Sequence, residues 1–227
     1  MSNEVLWIIL MVVNFTFILL SYKLFGKLGL LVWSGFAIVL ANIQVLKTVE
    51  LFGIVSTLGN IIYGTSFLAT DILSEKYGKK EASKAVWIGF FALISATSIM
   101  WLCLKFIPHE SDFINESLVN IFSIMPRITI ASLIAYLAGQ LHDVWAYHYW
   151  KEKFSKDSQL WIRNNLSTMV SQLIDSLLFT FIAFYGVFEF DIFIEILITT
   201  YFMKWLVAAC DTPIVYLAKK IDKPIFE

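Results

Sequence analysis

Apolar residues fall along the chain in long blocks separated by short polar joints. A helix that crosses a bilayer needs about 20 mostly apolar residues. Seven blocks approach that length: residues 5–22, 28–46, 51–70, 85–107, 128–149, 165–188 and 192–217. The longest joint, residues 108–126, is polar and carries proline at both ends. No soluble domain fits between the blocks, so residues 1–227 read as one transmembrane unit. The first block is too long, and lacks the basic flank, for a cleaved leader. The pattern predicts an all-α integral membrane protein, a bundle of about seven transmembrane helices. A six-helix core with one peripheral helix is compatible with the same pattern.

Composition agrees: 59% of the 227 residues are hydrophobic and only 15% charged, against about 25% charged in soluble domains. Alternate joints are poor in basic residues. Thirteen of the 17 Lys and Arg fall in the first, third and fifth joints and the tail, and three in the remaining joints. Lys204 lies inside a block. By the positive-inside rule the N-terminus faces outward and the C-terminus the cytoplasm. A net charge of −1 excludes the basic field of a nucleic-acid binder. Cys103 and Cys210 read as small core residues, and His109, His142 and His148 form no metal or catalytic set. HExxH, GxSxG and P-loop patterns are missing, so no cofactor and no enzymatic role are expected.

Polar residues recur at helical spacing inside four blocks. In the third, Ser56, Asn60, Tyr63, Phe67 and Asp71 continue into Glu75 and Lys79, a face whose other sides suit lipid. Glu75 and Lys79 read equally as a solvated helix end. The fifth block carries Ser132, Tyr136, Gln140 and Asp143; the sixth carries Thr168, Gln172, Asp175 and Phe179; the seventh carries Lys204 and Asp211. An uncompensated charge at mid-bilayer costs about 2.5–3.5 kcal/mol, so Asp175 and Lys204 should pair or face a wet cavity. Ser and Thr alone could serve helix adhesion at about 0.6 kcal/mol each. Gln140, Gln172, Asp175 and Lys204 together point to a cavity, and Phe67, Tyr136 and Phe179 could stack a planar ligand. Trp145, Tyr147, Tyr149 and Trp150 suggest an interfacial belt.

Four stretches carry a family resemblance: YGTSFLATDILSEKYGKKEA, PRITIASLIAYLAGQLHD, WIRNNLSTMVSQLIDSLLF and KWLVAACDTPIVYLAKK. Through them the chain resembles the queuosine precursor transporters, a stand-alone vitamin uptake transporter family. The resemblance implies import of 7-cyano- or 7-aminomethyl-7-deazaguanine, or queuine, for transfer-RNA modification. The substrate-binding set would then be Asn60, Tyr63, Phe67, Tyr136, Gln140, Gln172, Asp175, Phe179 and Lys204. Asp71, Glu75, Arg163, Asp143 and Asp211 would serve a gate or coupling role. Asp175 is the first candidate for accepting the two adjacent N–H donors of a guanine-like edge. Related importer subunits dock a partner ATPase through small residues on the first helix. Here VLWIILMVVNFTFILL is bulky throughout, so no obligatory ATPase is expected, and a homodimer is allowed. The competing readings are an ATP-driven importer subunit and, further off, an intramembrane enzyme built on Asp143 and Asp175.

Overall fold

The computed structural model describes residues 1–123, 125–186, 189–221 and 224–226. Residues 187 and 188 of the sixth block and Lys223 of the tail lie outside the described residues. The elements are α1 (Asn3–Gln44), β1 (Thr48–Leu51), β2 (Ile54–Thr57), α2 (Asn60–Lys76), α3 (Lys79–Cys103), α4 (Asn115–Ser123), α5 (Met125–Lys153), α6 (Leu160–Phe184) and α7 (Phe190–Lys219). The all-α membrane reading holds. The seven helices are not, however, the seven segments read from the pattern.

The first two blocks are one helical run, α1, that reverses at Gly26. A straight 42-residue helix would be about 63 Å long. Yet the Asn3 side chain donates to the Glu50 carbonyl at 3.1 Å, only six residues beyond the far end of α1. The run therefore folds back into two antiparallel spans. Gly26 has φ 57° and ψ −136°, a conformation that strains any residue with a Cβ. Gly29 then packs against Ser21, where an added Cβ would stand 2.2 Å from the Ser21 carbonyl oxygen. Replacing Gly29 by Ala is expected to destabilise the protein by about 1–3 kcal/mol through overpacking against backbone. Thermal unfolding in detergent would read this as a lowered melting temperature, and an unchanged one would contradict the packing described.

The third block is corrected most. Residues 51–59 are not helical; residues 51–57 belong to a β-hairpin in which Leu51 pairs with Ile54 across Phe52 and Gly53, and residues 58 and 59 turn into α2. Both turn residues have positive φ, as a two-residue hairpin turn requires. Apolar strand residues in a membrane-like composition mimic the start of a span. Ser56 accordingly sits on β2, not on the helical face proposed for it. Lys79 opens α3 after Gly78 instead of continuing α2.

Nor does α2 face lipid. Residues 60–74 are all buried, so the helix runs through the middle of the bundle with protein on every side. Its small polar side chains explain why: Thr65, Ser66, Thr70, Asp71 and Ser74 lie on several faces, and each needs a protein partner in hydrocarbon. Thr65 accepts from the Trp33 indole N–H at 2.9 Å. α1, α3, α6 and α7 are long and apolar enough to cross a bilayer, and α4 with α5, bent by 47°, would make a further span. Their outer faces present Val12, Phe17, Phe91, Ile99, Leu177, Phe181 and Phe202, the surface expected toward lipid.

The basic joints gather at one end. Lys27 pairs with Glu81 at 3.4 Å, the Ile225 N–H donates to the Lys23 carbonyl, and Lys76 donates to the Ile221 carbonyl. Glu75 pairs with Arg163 at 2.7 Å, Lys219 at 2.9 Å and Lys151 at 3.2 Å. The N-terminus and the hairpin lie at the opposite end, where the Glu4 carboxylate accepts from the Phe52 N–H. Of the expected aromatic belt, Tyr147 instead turns inward and donates to Glu75 at 3.0 Å, while Trp145 and Tyr149 stay exposed and stacked.

Candidate functional site

Between α1, the hairpin, α2, α5, α6 and α7 lies a cavity of about 600 Å³, within the usual range for small-molecule sites. Asp175 sits at its wall on α6, with both carboxylate oxygens engaged. The Tyr63 hydroxyl donates to Oδ1, and Lys204 Nζ donates to Oδ2 and forms an ion pair with it. Lys204 Nζ also lies 4.6 Å from the Tyr63 ring centre and 5.8 Å from that of Phe179, where ring faces favour a cation. This triad brings α2, α6 and α7 together. Each carboxylate oxygen carries two lone pairs, so one protein donor apiece leaves acceptor capacity for two ligand N–H groups.

Of the nine predicted binding residues, Asn60, Tyr63, Asp175, Phe179 and Lys204 line the cavity. The other four do not. Phe67 and Tyr136 pack behind Tyr63, with ring centres at 5.7 and 6.1 Å. Gln140 ties α5 to α2: its Nε2 donates to Ser66 Oγ at 2.9 Å and its Oε1 accepts from Thr70 at 3.2 Å. Gln172 is fully buried, with neither polar atom partnered among the described residues. The polar stripes thus do turn inward, but two amides serve the interior and not the cavity wall.

The remaining candidates lie toward the basic end. Asp71, Asp143 and Asp211 are all buried. Asp71 accepts from Thr168 at 3.2 Å and Asp211 from Asn164 at 3.1 Å. None of the three has an ion pair among the described residues. Beyond them Arg163, 1% exposed, fills the centre of the end cluster. It donates to Glu75 and to the carbonyls of Phe154 and Lys156, tying the α5–α6 joint to α2.

Sequence reading missed other parts of the cavity wall: Asn42 on α1, Thr57 on the hairpin, and Glu195, Thr199 and Thr200 on α7. The signal was present in α7, where Glu195 and Thr199 stand four residues apart in an otherwise apolar run. Asn42 had no stripe to announce it.

Comparison with known proteins points the same way. Residues 57–218 match the family model described as "Putative vitamin uptake transporter". A Bacillus subtilis protein named "Probable queuosine precursor transporter" is 48% identical over 97% of this chain and 96% of its own. The Escherichia coli "Queuosine precursor transporter" is 27% identical over 74% of each chain. A Haemophilus influenzae protein named "Probable queuosine precursor transporter" is 29% identical over 59% of this chain and 54% of its own. No solved structure matches the chain significantly. A multi-pass helical membrane protein that matches this family model over residues 57–218, and a curated relative along nearly its whole length, belongs to the vitamin uptake transporter family, a family of transporters and not of enzymes.

Proposed function

We propose that the chain imports a 7-deazaguanine precursor of queuosine across the bacterial inner membrane by alternating access. The observation that carries this reading is the Tyr63–Asp175–Lys204 triad on the cavity wall. A guanine-like base offers adjacent ring and exocyclic N–H donors, which a carboxylate accepts side by side. Lys204 offsets the charge of Asp175, so a neutral base can enter and leave without stranding a bare carboxylate in a dry interior. Phe179 supplies an apolar wall for the flat ring and Asn60 a nearby amide.

With the basic end cytoplasmic, the cavity belongs to the outward half, among α1, the hairpin and the start of α7. The Gln140 bonds, the three buried aspartates and the Glu75–Arg163 cluster close the inward half. Glu75 and Arg163 then act as the inner gate, and inward opening must break or carry along their ion pairs. Asp71, Asp143 and Asp211, buried without cationic partners among the described residues, suit a proton or cation moved with the substrate.

Proteoliposomes holding this chain alone should accumulate labelled 7-deazaguanine without ATP. Saturable uptake, competed by other deazaguanines, supports the reading and removes the need for a partner ATPase. Uptake seen only when an ATPase is added would replace this reading with the importer-subunit one. No uptake in either case would overturn it.

A further inference from the structure

Two buried carboxyls, Asp71 on α2 and Asp143 on α5, are short of one hydrogen. Asp143 meets the Asp71 carboxyl and the hydroxyls of Ser167, Thr168 and Ser171 on α6. All of these side chains are 0% exposed. A hydroxyl has one proton to donate, and each of the three gives it elsewhere. Ser167 donates to the Asn164 carbonyl at 3.1 Å, Ser171 to the Ser167 carbonyl at 2.7 Å and Thr168 to Asp71 Oδ2 at 3.2 Å. Asp71 Oδ1 and both oxygens of Asp143 are left without a partner among the described residues.

If both were ionised, acceptors would face acceptors, with two like charges side by side in a dry interior. A carboxyl pair so placed holds one proton between its members. An O–H on Asp143 donating to Asp71 Oδ1 removes one charge and supplies the missing donor. Nothing else at hand does so: neither residue has an ion pair among the described residues, and no three His, Cys, Asp or Glu side chains among them are arranged to hold a metal ion. The other titratable groups around the pair are already engaged. Asp211 of α7 accepts from Asn164 at 3.1 Å, Tyr147 of α5 donates to Glu75 at 3.0 Å, Arg163 of α6 pairs with Glu75, and His142 of α5 bonds Ser171 at 2.9 Å.

The pair is also well placed to sense the cavity. One turn of α5, about 5.4 Å, separates Asp143 from Gly139, where an added Cβ would stand 3.0 Å from the Asp175 Cβ. One turn the other way lies Tyr147, on the Glu75 cluster. The pair thus stands between the cavity carboxylate and the cytoplasmic closure.

We infer that Asp71 and Asp143 are the proton-carrying site of the transporter, one proton shared by the two carboxyls accompanying each substrate molecule inward. The O–H bond forms with a proton drawn from the outer solution and breaks when the inward-open state lets water reach the pair. The inference rests on the import reading above and narrows it to which ion is coupled and to the two aspartates, of the three, that carry it.

The test uses proteoliposomes of the full chain with labelled 7-cyano-7-deazaguanine, a neutral probe, and the membrane potential clamped at zero. Two readouts are taken: exchange against preloaded unlabelled base at equal pH, and net accumulation with the outside one pH unit more acidic. One proton per neutral base gives about tenfold accumulation, the proton ratio itself. Asp143→Asn should still exchange the base but not accumulate it, because its amide permanently supplies the hydrogen that the shared proton supplies. Asp71→Asn should do the same, and both should melt close to wild type. Where one variant does not fold, the other is read. Accumulation driven by a sodium gradient instead, accumulation under neither gradient, or accumulation that survives either substitution would overturn the inference, while exchange by wild type keeps the import reading standing. Loss of exchange in a folded variant would overturn it too, as would failure of both variants to fold, since each amide imitates the proposed proton. No exchange of any deazaguanine by wild type would overturn the import reading, and this inference with it.

Discussion

Replacing Asp175 by Asn is expected to lower uptake of a deazaguanine by about two orders of magnitude. Two charge-assisted hydrogen bonds to the base become neutral ones or are lost, each worth about 1.5–3 kcal/mol, and every 1.4 kcal/mol is tenfold. The same change leaves Lys204 without its partner at a site 5% exposed. Removing one member of a buried ion pair can cost about 3–5 kcal/mol of stability, so loss of uptake alone would be ambiguous. The double variant D175N with Lys204→Met removes both charges and should restore the melting temperature without restoring uptake. Normal uptake by either variant would take Asp175 out of the site.

The second large effect lies at the other end of the molecule. Arg163→Ala should destabilise the protein by about 3–5 kcal/mol, because this buried guanidinium holds Glu75 and two carbonyls of the α5–α6 joint at once. Arg163→Lys should recover little, since an ammonium cannot reproduce the planar fork that reaches three acceptors in fixed directions. Thermal unfolding of the purified variants checks both statements. A Lys variant as stable as wild type would mean that charge, and not the fork, holds this end together.

Much of this arrangement was legible in the sequence because a membrane punishes misplaced polarity. Asp175 and Lys204 had to find one another or water, and they did. The alternation of basic joints foretold that residues as far apart as Lys27, Glu75 and Lys219 would gather at one end, as their ion pairs bear out. Where the reading faltered, the cause was local. Residues 51–59 are apolar enough to pass for helix, and only Gly53 and the β-branched run after it hint at a hairpin. The reversal at Gly26 was expected as a joint between two spans, but not as a continuation of one helical run. Gln140 and Gln172 show the limit of stripe reasoning. Helical spacing told which face turns inward, but not whether that face meets a cavity or another helix. Glu195 was passed over for the opposite reason: it is an exposed carboxylate near the start of an apolar block, and only the structure shows that it borders the chamber.

The most direct test of the account is a structure with 7-aminomethyl-7-deazaguanine bound. The base should lie in the cavity between Tyr63, Asp175, Phe179 and Lys204, its N–H edge on the Asp175 carboxylate. Ligand bound elsewhere, for instance among Asp71, Asp143 and Asp211, or with its N–H edge turned from Asp175, would contradict it.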